Sequence, residues 1–340
     1  MSQAPVLAPK PPPGVIASLV AGFEAVNARL ELILLPLALD LFLWLGPHLS
    51  VRPLVDRLLA LFATPSGADA VTQRNYELVR QALGDYGATF NLFAILSTAP
   101  LGLPSLIASQ GAARTPAGPA PTWQVDSVLQ YCLLLGSFLL LGLFLGSLYF
   151  GGVAQQVRDR RVRLRLLFQQ VWGDWARLTA LSALALGVLL LLGAPVVVLT
   201  GLLSLLSPIV SMLVWIAGAT LILWTLFYTG FALHSMLLLR RGLFGAIWDS
   251  VRLVHFNLPQ SAGLWVMVVL INAGLGLVWT LPGSGSWFML LGLAGHALIS
   301  TALVAATFAF YFDRYRWWTE VYQVLRARAA ADSRRLNRKA

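Results

Sequence analysis

Four polar side chains stand inside long apolar stretches, where a bilayer leaves them few partners: Asp40, His234, Asn272 and His296. An ionisable group in hydrocarbon is costly, so each is by default a candidate for proton transfer or substrate contact. Asp40 lies deep in Leu30–Leu49, which carries Glu31 near its start but no Lys or Arg. No other apolar stretch supplies a cation either. Asp40 is therefore protonated, hydrogen-bonded to His296 or to a Ser or Thr, or in contact with water. The chemistry is then proton or substrate handling, or a packing hydrogen bond between helices worth about 1 kcal/mol. The packing bond is the expectation.

The remaining reactive residue types form no constellation. The histidines lack the clustered carboxylates of a metal centre. Gly283-Ser-Gly-Ser286 offers hydroxyls but no base within a recognisable pattern, so it reads as a tight turn. Cys132 is the one cysteine. It admits neither an internal disulfide nor a cysteine metal cluster, and reads as a small buried apolar residue. The pairs Gly142/Gly146 and Gly292/Gly295 read as sites of close helix approach. No strand and helix N-terminus frame a phosphate loop. The chain is expected to be no enzyme and to need no cofactor.

The elements that hold these residues are apolar and long. The chain has 340 residues, 58% hydrophobic and 11% charged, about half the charge of a soluble domain. Stretches at 30–49, 128–150, 178–206, 209–239, 262–281 and 287–312 contain no Lys or Arg. About 20 apolar residues match the bilayer's hydrocarbon thickness. The fold class is an all-α polytopic membrane bundle of six spans with interfacial amphipathic helices. Pro36 is placed to kink the first span. Residues 1–14 read as a disordered Pro-rich lead-in, 15–313 as one membrane domain with an extracytoplasmic insert at 51–126, and 314–340 as a basic tail. Val15–Ala28 has helical apolar spacing and is expected in the membrane interface. In the insert, Pro53–Phe62 and Ala70–Leu83 read as amphipathic helices and Ala113–Pro121 as a linker. Phe90–Ala108 is apolar but broken by Pro100, Gly102 and Pro104. It is either a seventh span or a segment lying on the others. The breaks favour six spans, whereas Arg52, Arg57, Arg74 and Arg80 favour seven.

The net charge of +10 gathers between spans. Arg158, Arg160, Arg161, Arg163, Arg165 and Arg177 sit in one connection, Arg240, Arg241 and Arg252 in another, and Arg314, Arg316 and five further arginines in the tail. Positive residues stay cytoplasmic, which puts both termini inside a bacterial cytoplasmic membrane in the six-span reading. Of these, Arg158, Arg160, Arg161, Arg163, Arg165, Arg240, Arg241, Arg314 and Arg316 are the candidates for contact with anionic inner-leaflet lipid. Other membrane subunits are possible partners and nucleic acid is not, because the basic runs abut spans. Leu164, Phe168, Val171, Trp175 and Leu178 form one amphipathic stripe, and Leu243, Ile247, Val251 and Val254 another, with Trp172, Trp175 and Trp248 at headgroup depth. Tyr149-Phe-Gly151 recurs as Tyr228-Thr-Gly230, Arg160-Arg161 as Arg240-Arg241, and Phe168 as Trp248, offset by 79 or 80. That is the mark of a repeated unit of span, amphipathic helix and span.

The first span closes on Asp40-Leu-Phe-Leu-Trp44-Leu-Gly-Pro47, and the last on Tyr311-Phe-Asp313-Arg314, with Glu320 downstream and Arg314 and Arg316 at an altered spacing. In these motifs the chain resembles the six-span membrane domain fused to some bacterial glycerophosphodiester phosphodiesterases, and related stand-alone bacterial membrane proteins. The resemblance covers most of the chain. It implies the bundle and no activity, because the catalytic part of the fused proteins is a separate soluble domain. The functional expectation is a non-enzymatic scaffold or accessory subunit. The alternative is a transporter or lipid-handling protein.

Overall fold

The computed structural model describes residues 10–61, 70–98, 100–110 and 115–337. The first nine residues of the lead-in, part of the Ala113–Pro121 linker and the last three residues of the tail lie outside them. In chain order the helices are α1 (Val15–Asn27), α2 (Leu34–Leu45), α3 (Arg52–Leu61), α4 (Ala70–Thr89), α5 (Val128–Asp159), α6 (Leu164–Ser204), α7 (Pro208–Thr229), α8 (Ala232–Leu239), α9 (Leu243–Phe256), α10 (Leu258–Thr280) and α11 (Met289–Asn337). Strands β1 (His48–Ser50) and β2 (Thr122–Gln124) pair in parallel, with Leu49 opposite Trp123. Among the described residues, five helical stretches are long and apolar enough to cross a membrane: α5, α6, α7 with α8, α10, and Met289–Arg328 of α11.

The first apolar stretch is not one helix. It opens with a 3-10 turn at Leu30–Ile33, and only Leu34–Leu45 is α-helical. At about 18 Å, α2 is too short to cross about 30 Å of hydrocarbon. Val15–Ala28, expected at the interface, is packed into the bundle instead. Its buried face is Ser18, Leu19, Gly22, Ala25 and Val26, and small residues let backbones approach closely. A Cβ at Gly22 would overlap the carbonyl of Ala302 and the backbone of Ala306. The contacts then step down α11. Pro13 meets Arg314, Gly22 meets Ala302 and Ala306, Asp40 meets His296, and Trp44 Nε1 donates to the carbonyl of Ser284 at 2.8 Å. Thus α1 and α2 form one broken element, antiparallel to α11 and about 38 Å in helical length. Pro36 does not kink it, because it falls in the first turn of α2, where a missing N–H leaves no bond unmade.

Phe90–Ala108 is not a seventh helix. Its described residues form two 3-10 turns, Leu92–Ser97 and Ile107–Ser109, joined by irregular chain. Thr98 lies in the left-handed region at φ 46°. This segment seats on the glycine pair of α5. A Cβ at Gly142 would strike Thr98 and the carbonyl of Leu96, and one at Gly146 would strike Leu101 and Gly102. The pair does provide close approach, but to irregular chain and not to a helix. Gly292 and Gly295 of α11 meet Trp279 of α10 in an ordinary helix contact. Cys132 is exposed on α5, against the expectation that it is buried. The N-terminal end of α5 carries it beyond the packed half of the helix, where Leu129 and Leu133 are exposed too.

The repeat is visible in the backbone. Arg160 and Arg240 close α5 and α8 in the same left-handed conformation, at φ 56° and 59°. The next helices begin at Leu164 and Leu243. The two copies then diverge. Pro259, second in α10, separates α9 from α10, whereas no proline stands at the equivalent place after Arg177, and the one inside α6, Pro195, lies well beyond it. Leu164–Arg177 is therefore not a separate interfacial helix. It is the first third of a 41-residue rod about 60 Å long. The α6 stripe is also rotated from its expected face, whereas the α9 stripe keeps its face, with Leu243 and Ile247 packed on the core and Val254 buried. The buried sets are Leu167, Val171, Asp174 and Leu178 on α6, and Ala246, Ser250 and Val254 on α9. Leu164, Phe168, Trp172, Phe244 and Trp248 face outward. The polar residues Asp174 and Ser250 turned inward because they have bonds to make there.

Candidate functional site

Asp40 is fully buried. The turn of α2 brings it under the start of the Ile107–Ser109 3-10 turn. Ser105 Oγ donates to its Oδ1, Ile107 N donates to the same oxygen at 3.1 Å, and Leu106 N donates to Oδ2 at 3.1 Å. Ser105 Oγ in turn accepts from Ala108 N. The carboxylate is thus a cap supplied from another helix, satisfying donors that the turn itself leaves open. Ser97 Oγ donates to the carbonyl of Leu103, and Asn91 Oδ1 accepts from Leu49 N and Phe93 N. Buried irregular backbone needs this kind of internal pairing.

A second polar row begins beside it. His296 Nδ1 is 3.8 Å from Asp40 Oδ2, His296 Nε2 is 3.2 Å from Ser300 Oγ, and Ser300 Oγ donates to Asn272 Oδ1 at 3.1 Å. The order carboxylate, imidazole, hydroxyl is that of an activated serine. The geometry does not support it. Ser300 has one proton and gives it to Asn272, so Nε2 must be the donor and cannot be its base. The 3.8 Å gap to Asp40 is too long for the bond that would orient the ring. This row ties α11 to α10 across two of the residues expected to matter, His296 and Asn272. Asp40, His296 and Asn272 therefore come together. His234 does not join them: it is buried on α8, bonded to Thr307 Oγ1 at 2.8 Å and packed against Phe308.

The arginine-bearing end has its own buried carboxylate, which sequence reasoning missed. Asp174 is 1% exposed and pairs with Arg177 at 3.3 Å and with Arg240. Arg158 pairs with Asp159 at 2.9 Å and donates to the carbonyl of Leu238. Arg241 pairs with Asp249 at 3.4 Å, and Ser235 Oγ donates to Asp249. Ser250 Oγ accepts from Phe231 N and donates to the carbonyl of Tyr228, which repairs the break between α7 and α8. Gln155 Oε1 accepts from Arg163 N. Arg160, Arg161, Arg163, Arg165, Arg241 and Arg316 are exposed. Arg314 is not a surface residue: it is 3% exposed, stacked over Phe310, and donates to the carbonyls of Phe310 and Pro13. It pins the start of α1 to α11. The available signal for Asp174 was its place three before Arg177, a spacing that pairs side chains on one helix face.

Among the described residues no three His, Cys, Asp or Glu side chains gather as a metal-ion set would. Comparison with protein-family models, with curated proteins and with solved structures finds no match to this chain.

Proposed function

We propose that this chain is a non-enzymatic scaffold or accessory subunit of a complex in the bacterial cytoplasmic membrane. It crosses six times, the first crossing being the broken α1–α2 element, and keeps both termini cytoplasmic. The supporting observation is the use made of Asp40. The most deeply placed carboxylate has both oxygens engaged by the chain's own 105–107 backbone and hydroxyl, which is structural work. Arg314 beside Pro13 supports placing the start of the bundle on the side where the last crossing ends. The α6–α7 hairpin adds a reason to expect a partner. Leu190, Leu191, Val197, Leu202, Trp215 and Leu223 are all about half exposed or more, and lipid or another membrane helix must cover them. The resemblance to membrane domains that accompany a separate soluble domain is in keeping with this role.

The test is purification of the tagged full-length chain from its native membrane in mild detergent. A membrane subunit recovered at fixed stoichiometry is the expected result. Recovery of the chain alone, at a native expression level, sinks the proposal.

A transporter or lipid-handling role is the second reading, favoured by the parallel repeat with its matched Arg160 and Arg240 turns. It requires a mid-membrane path for substrate, and its marker is an Asp40→Asn protein that stays folded yet loses a cellular function.

A further inference from the structure

An apolar groove of about 140 Å³ runs between α6 and α7, lined by Leu181, Ala185, Val188 and Leu192 on one side and by Ile222 and Thr225 on the other. Leu189 and Leu226 on its rim are 44% and 49% exposed, so it opens sideways. From Leu181 to Leu192 it follows α6 for about 16 Å, close to the hydrocarbon depth of one leaflet. The same helical face continues past Leu181. Arg177 is one turn before it and Asp174 one turn before Leu178, at the three- and four-residue spacing that keeps side chains on one face. There Arg177 and Arg240 share the single buried carboxylate of Asp174. Two positive charges meet one negative charge, and both arginine side chains are about one-third exposed. An apolar slot thus ends at a half-open site with an excess positive charge.

We infer that this groove binds one acyl chain of an anionic glycerophospholipid, whose phosphate sits on the Arg177–Arg240 pair. The slot takes the chain, and guanidinium donors match phosphate oxygens in geometry and charge. Neutral lipid would fill the slot without using the charge. A helix from a second copy would use neither the slot's depth nor its charged end.

The experiment is native mass spectrometry of the full-length chain in detergent, with phosphatidylglycerol and phosphatidylcholine of identical acyl chains. The wild type is expected to retain phosphatidylglycerol about fivefold better, the ratio that one interfacial charge supplies. Arg177→Gln leaves Asp174 paired with Arg240 and should bring the two lipids to parity. Arg326→Gln, at an exposed position on the C-terminal part of α11, should leave the preference intact. Ala185→Phe fills the groove and should lower retention of both lipids; should it perturb the hairpin, Thr225→Phe fills the same space from α7. The inference is overturned if Arg177→Gln keeps the preference. It is equally overturned if a filled groove retains phosphatidylglycerol as before, which would mean surface charge alone. A dimer that the filled groove abolishes would assign the slot to a second copy instead.

Discussion

Asp40 carries more than a single packing bond, and its substitutions should separate that from a titrating role. Two backbone N–H groups and a hydroxyl converge on the carboxylate. Asp40→Asn replaces one acceptor oxygen with a donor that faces those N–H groups, and a buried group left unpaired costs about 1–3 kcal/mol. The structure thus raises the loss above the roughly 1 kcal/mol of an ordinary interhelical bond. Ser105→Ala removes one donor and should cost about 1 kcal/mol. Unfolding in detergent, followed by helical signal against denaturant, measures both. Equal stability of Asp40→Asn and wild type would remove the capping role. Arg314→Gln should also loosen the start of α1, seen as faster proteolysis near Lys10, while Arg316→Gln, whose residue is exposed, should not.

At the scale of elements, the contact of α1 with α11 depends on an absent side chain. Gly22→Val places atoms into the backbone of Ala302 and Ala306, and overpacking of this kind costs about 1–3 kcal/mol. Gly136→Ala on α5 meets nothing within 4 Å and should be neutral or stabilising, since Ala is the better helix former. A Gly22→Val protein as stable as the wild type would mean that α1 is only loosely docked. Much of this architecture was legible. The run of apolar residues and the distribution of arginine mark α5, α6, α7 with α8, α10 and α11, because length and hydropathy respond directly to the bilayer as solvent. The junctions were harder. The docking of the broken α1–α2 element depends on Gly22 finding an alanine run some 280 residues later, which no local period reveals. The rotation of the α6 stripe depends on Asp174 finding Arg240 at the end of α8, so a reading that turns this carboxylate outward places the wrong face inside. The same limit applies to the polar row: His296 and Asn272 were legible as candidates, but Ser105 and Ser300 acquire meaning only from tertiary neighbours.

At the scale of the whole molecule, topology follows from where the helices end. In a Cys132→Ser background, single cysteines at Ala70 and Ala117 should react with an impermeant reagent in intact cells. One at Gln169 should react only after permeabilisation. All three residues are exposed in the fold, so access reports sidedness. Labelling of Gln169 in intact cells would invert the bundle, and opposite results at Ala70 and Ala117 would mean that the chain between them crosses after all. The continuity of α6 through Arg177 sets the two copies of the repeat apart in a further respect. In the second copy the Pro259 junction uncouples α9 from α10, so tilting one need not move the other. In the first copy no such joint follows Arg177, and Asp174 to Ala194 belong to one stiff lever that ends where Pro195 removes a helical hydrogen bond. Its fulcrum is the guanidinium pair at Asp174, and its free arm reaches the α6–α7 hairpin, whose inner flank packs Val196 onto Gly218. A few degrees of tilt at the fulcrum, however caused, would displace the helix at Pro195, about 30 Å away along α6. The chain therefore possesses a stiff arm that carries a charge event at Asp174 as far as the base of the α6–α7 hairpin.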